Sequence, residues 1–78
     1  MGQLKARFGR RIQSLRLKAG VTQEQLADAM WLTVESISNI ERGIHGPKFD
    51  NLEKIAKILG VSVKELFEFD AAASPRRR

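Results

Sequence analysis

A chain of 78 residues with no cysteine has room for one small core, and neither disulfides nor a thiolate zinc site can staple it. Lysine and arginine outnumber aspartate and glutamate by 14 to 9, a formal charge of +5 that suits a polyanionic partner. No apolar run nears the ~20 residues of a transmembrane helix and no signal peptide is present, so a cytoplasmic protein without membrane partners is expected.

Residues 1–22 carry Lys5, Arg7, Arg10, Arg11, Arg16 and Lys18 with no acid, and Arg76, Arg77 and Arg78 follow at the far end. No useful stretch alternates with a strand's period of two, whereas helical spacing recurs throughout. Phe8, Ile12 and Leu15 share one face of a first helix over about residues 4–19, which Gly20 ends in a left-handed turn. Thr22 with Gln25 forms a capping box for a second helix, "QEQLADAM", that turns Leu26, Ala27 and Met30 inward. Thr33 is the expected N-cap of a third helix, about residues 34–42, which buries Ile37 and Ile40 and stops at Gly43. The "IHGPKF" stretch reads as a loop. Asp50, boxed with Glu53, is expected to cap a fourth helix lined by Leu52, Ile55, Ala56 and Leu59 and ended by Gly60. Ser62 and Glu65 box the start of the last helix, "VKELFEF". Residues 1–70 therefore read as one all-α domain, a compact five-helix bundle, and residues 71–78 as a flexible basic tail.

Helices two and three, joined by "WLT", fit a helix-turn-helix, with small Ala27 at the helix crossing and Leu32, Ile37 and Ile40 locking the second helix of the motif onto the first. "GVTQEQLADAM", "ISNIERG" and "GPKFDNLEKIAKILGVSVKELF", in that order and spacing, resemble the phage-repressor and Cro-like (XRE) DNA-binding family over roughly residues 8–69. The resemblance implies a lambda-repressor-like fold whose third helix enters the major groove of double-stranded DNA. It departs at Trp31, where the family most often has glycine. Either the indole covers the end of helix two and extends the core, or it is a surface anchor for DNA backbone or a partner protein.

By the same resemblance, Val34, Glu35 and Asn39 match base-reading positions, and exposed Ser38 lies on the same face. The chemistry agrees, since valine packs on a thymine methyl, glutamate accepts from a cytosine amino group and asparagine pairs with adenine; Glu35 could equally serve only the helix dipole. DNA-backbone candidates are Thr22 and Gln23 at the start of helix two, Thr33 and Ser36 at the start of helix three, and Arg42, His45, Gly46 and Lys48 beyond it. Gln23 matches a DNA-contacting position of the family. Arg16 and Glu41 match a family ion pair and are read as structural, while Arg10, Arg11 and Lys18 are expected to be solvated.

Family members usually bind palindromes as two-fold dimers. Leu66 is expected to point inward, with Phe67 and Phe69 meeting Leu59 or Val61 in a homodimer contact; local packing under the tail is the alternative. The implied function is a sequence-specific transcriptional regulator, a repressor or autoregulator working at the nucleoid. The alternative is a DNA-binding antitoxin or interaction module acting through a protein partner. One loop histidine, no cysteine, no glycine-rich phosphate loop and no acid pair in a cleft leave no catalytic constellation and no expected metal or cofactor.

Overall fold

The computed structural model describes residues 3–69 and contains, among these, five helices and no strand: α1 Gln3–Lys18, α2 Gln23–Met30, α3 Val34–Glu41, α4 Phe49–Leu59 and α5 Val63–Leu66. The all-α five-helix expectation holds, and the first three helices lie within one or two residues of their expected ends. The basic tail at 71–78 lies outside the described residues.

Local chemistry sets most of the boundaries. Thr22 and Ser62 each cap their helix in a complete capping box, with Gln25 and Glu65 as the returning partners. Thr33 caps α3 by accepting the Ser36 backbone N–H. Helix α4 departs from expectation: it starts at Phe49 with Lys48 as N-cap and no side-chain cap bond. Asp50 therefore does not cap it but stands in its first turn, where a carboxylate favours the positive end of the helix dipole. Helix α5 is also shorter than "VKELFEF", because Phe67 leaves helical geometry at φ −110° and ψ 12°.

Four helices end on one hydrogen-bond pattern. The N–H directly after the turn residue reaches back five residues, as in Val21 to Arg16, Leu32 to Ala27, Ile44 to Asn39 and Val61 to Ala56. This Schellman arrangement needs a left-handed residue. Gly20, Gly43 and Gly60 supply it at φ 73°, 77° and 74°; after α2 it is Trp31, at φ 59° and ψ 37°. The turn thus keeps the form that glycine usually gives it. Its indole is 91% exposed, so it extends no core.

Leu26, Ile12, Ile37, Ile55 and Leu66 are the largest fully buried side chains, one from each helix. Leu32, Leu52, Val61 and Phe69 pack partly buried around that centre. At the α1–α3 crossing the backbones nearly touch, and a Cβ on Gly9 would collide with the carbonyls of Ile40 and Glu41. This close approach fixes how α3 sits on the scaffold.

Candidate nucleic-acid interface

Helix α3 turns Ile37, Ile40 and Glu41 into the protein. Its periodicity then brings Val34, Glu35, Ser38, Asn39 and Arg42 together on the opposite face, with Val34, Glu35 and Arg42 exposed and Ser38 and Asn39 half-buried. An eight-residue helix is about 12 Å long, comparable to the width of a B-DNA major groove.

A buried ion pair holds this helix. Arg16 Nε donates to Glu41 Oε2 at 2.6 Å and its Nη2 to Oε1 at 3.2 Å, with side chains only 8% and 2% exposed. The remaining nitrogen of that guanidinium, Nη1, donates to the Val21 carbonyl at 2.8 Å, and Gln23 Nε2 donates to Glu41 Oε1 at 2.9 Å. One carboxylate thereby joins α1, the α1–α2 turn, the start of α2 and the end of α3. Bidentate charge-assisted bonds satisfy the lone pairs that burial would otherwise leave unpaired.

In this network the side-chain amide of Gln23, a DNA-backbone candidate, is engaged in positioning α3. The neighbouring hydroxyls are also engaged. Thr22 Oγ1 accepts from the Gln25 N–H at 3.0 Å, and Thr33 Oγ1 accepts from the Ser36 N–H while donating to Ser36 Oγ at 3.0 Å. Arg42, His45, Gly46 and Lys48 are exposed past the C-terminal end of α3. Charge is therefore split along the helix: Arg42 stands at its C-terminal end, whereas exposed Glu24 and Asp28 line a surface depression with Val34, and Glu35 stands in its first turn.

Arg11 is not a solvated residue. Its Nε donates to the Glu65 carbonyl at 2.9 Å and its Nη2 lies 3.9 Å from Glu68, tying α1 to α5. Leu59 is buried in the core and Val61 half-buried, while the Phe67 ring, 39% exposed, lies 5.1 Å from Phe8 and 6.0 Å from Phe69. A shallow apolar groove opens beside it, walled by Leu4, Phe8, Pro47, Phe49, Leu52 and Phe67. Among the described residues no helix is long and apolar enough to cross a membrane, and no three His, Asp or Glu side chains gather as a metal site.

A helix-turn-helix family model matches residues 12–66, the span from mid-α1 to the end of α5. The chain belongs to the helix-turn-helix family. Among the relatives of this helix-turn-helix chain, the control protein C.BamHI of Bacillus amyloliquefaciens is 44% identical over 63 residues, covering 80% of this chain and 78% of the relative. The control protein C.MunI of a Mycoplasma species is 38% identical over 68 residues, covering 86% and 92%. In three dimensions the restriction–modification controller protein C.AhdI from Aeromonas hydrophila superposes with a TM-score of 0.74 at 34% identity, covering 80% of this chain and 94% of that one. Other helix-turn-helix relatives are named as transcriptional regulators. The resemblance to the phage-repressor and Cro-like family holds over residues 12–66.

Two positions of this helix-turn-helix were not singled out from sequence. Gly9 carried a signal, since a glycine in mid-helix costs about 1 kcal/mol against alanine and implies close packing. The Val21 carbonyl carried none, because an acceptor on the main chain has no residue-type signature.

Proposed function

We propose that this helix-turn-helix protein is a sequence-specific transcriptional regulator that binds a palindromic operator in double-stranded DNA as a homodimer, with α3 in the major groove. The observation that carries the reading is the single exposed face of Val34, Glu35, Ser38 and Asn39, anchored from behind by the buried Arg16–Glu41 pair. Asn39 pairs with adenine, Glu35 accepts from cytosine and Val34 packs on a thymine methyl; Arg42 and Lys48, with His45 and Gly46, hold the backbone past the C-terminal end of α3. The free backbone N–H groups at the start of α2 receive a phosphate between Thr22 and Gln23.

C.BamHI and C.MunI are named control proteins and C.AhdI a restriction–modification controller protein, which supports a control protein serving a restriction–modification system. Dimerisation is supported by the apolar groove and by Phe49, which is 86% exposed. Exposed apolar surface of this kind is the mark of an interaction site. Phe67 and Phe69 remain in the proposed contact, Val61 stands at its rim, and Leu59 supports it from the core.

Selection of bound sequences from random DNA, at two salt concentrations, tests the proposal. A two-fold symmetric consensus retained at the higher salt is expected. Salt-sensitive binding without any consensus would point instead to a nonspecific DNA-coating protein.

A further inference from the structure

We propose that Trp31 is a DNA contact, its indole lying against the sugar–phosphate edge just outside the base pairs that Val34 and Glu35 read. This rests on α3 being the reading helix, and it extends the footprint outward from that helix.

Three observations lead there. The first is that the fold does not need the indole. Four helices end on the same hydrogen-bond pattern, three of them with glycine, and Trp31 is the only non-glycine residue at positive φ among those described. A side chain there costs about 1 kcal/mol, and the ring is 91% exposed, so no burial offsets that cost.

The second is position. Trp31 stands two residues before the Thr33 cap of α3, and Val34 and Glu35 follow immediately in the exposed first turn. Trp31 therefore adjoins, along the chain, the N-terminal end of the reading face. The apolar groove proposed for the dimer includes Gly46, Pro47 and Phe49, beyond the other end. With the two-fold axis on that side, Trp31 faces away from it, toward DNA flanking the palindrome.

The third is the chemistry available there. Arg42, His45 and Lys48 can hold phosphates past the C-terminal end of α3, but exposed Glu24 and Asp28 line a surface depression with Val34, and Glu35 stands in its first turn. No lysine or arginine occurs between residues 19 and 41, and the Thr33 hydroxyl donates to Ser36. A neutral donor on a broad apolar plate suits that place: the indole N–H meets a phosphate oxygen while the ring covers the deoxyribose edge. A neutral contact displaces no counterion, so it adds affinity without adding to the salt dependence.

The chain has one tryptophan and no tyrosine, so its intrinsic fluorescence reports Trp31 alone. The experiment uses the whole protein and two duplexes, one ending at the selected consensus and one carrying an additional half-turn of DNA on each side. Expected are a blue shift or quenching of emission with the longer duplex and little change with the shorter. Trp31→Gly is expected to bind the longer duplex about tenfold more weakly, the equivalent of about 1.4 kcal/mol, with the same salt slope as the parent. Its preference for the longer duplex should vanish, and its melting temperature should not fall.

Unchanged emission on binding, or a Trp31→Gly variant that binds both duplexes like the parent, overturns the inference and leaves the indole to a protein partner. Failure of the parent to bind any duplex selectively overturns the reading of α3 itself, and so is a different result.

Discussion

Glu41 is only 6% exposed, yet it receives hydrogen bonds from Arg16 and Gln23, so its charge is compensated inside the bundle. Removing one member of such a pair strands the other in a poorly solvated site, a cost of about 3–5 kcal/mol. Glu41→Gln is therefore expected to lower the melting temperature markedly and, in molecules that remain folded, to weaken DNA binding through the loosened end of α3. A melt unchanged from the parent would reject the structural role. Asn39 is the complementary case, a half-buried residue on the presented face. Asn39→Ala should leave the melt nearly unaltered, lower affinity for the consensus by about 1–3 kcal/mol and relax preference at one base pair of each half-site; competition with duplexes substituted at single positions reads this directly.

At the scale of the helix, agreement between sequence and structure follows the range of the forces involved. Thr22 with Gln25 and Ser62 with Glu65 were legible because a capping box closes within four residues. Asp50 misled because the same four-residue pattern also occurs inside a first turn, and the preceding Lys48 had no side-chain signature as a cap. Contacts across long separations were legible only where the resemblance supplied them, as for Arg16 and Glu41. The Arg11 bond to the Glu65 carbonyl, 54 positions away, had no such guide.

Helix α5 offers a pH test of one such cap. The Glu65 carboxyl is held below its ordinary value of 4.5, first because it accepts the Ser62 backbone N–H; desolvation opposes this, and the Ser62 hydroxyl and the nearby Arg11 add to the lowering. A lowered folded value favours the folded state above the ordinary one, and that contribution disappears as pH falls through the folded value. The melting temperature should therefore drop on acidification below 4.5, and the drop should be smaller in Glu65→Gln, whose stability at neutral pH should in turn be lower. Identical acid profiles for the two proteins would show that the cap contributes nothing. The α1–α3 crossing gives a sharper result. Gly9→Ala drives a methyl into the carbonyls of Ile40 and Glu41, and since backbone cannot rotate away, a loss of about 1–3 kcal/mol or more is expected in denaturant unfolding.

The whole molecule raises the question of how a bundle this small discriminates an operator. In the proposed reading one α3, about 12 Å long, serves one half-site, and two copies on a two-fold axis serve two, about 34–36 Å apart. Coupling them by dimerisation makes the second half-site an intramolecular event, worth about 10²–10⁴-fold in affinity. The surface proposed for that coupling lies beside Phe67 and Pro47, and Phe49 is its most exposed ring. Because Phe49 contributes little to the core, Phe49→Ser removes apolar contact area from the groove without opening a cavity. The parent is expected to sediment at twice the chain mass at micromolar concentration and the variant to shift toward the single chain, with the monomer's fold intact by circular dichroism. Binding of the variant to the palindrome should fall by about 10²-fold, while its binding to an isolated half-site stays that of the parent monomer. Equal loss on both duplexes would mean that Phe49 acts on the reading face rather than on the dimer, and an unchanged sedimentation profile would move the dimer contact elsewhere on the bundle.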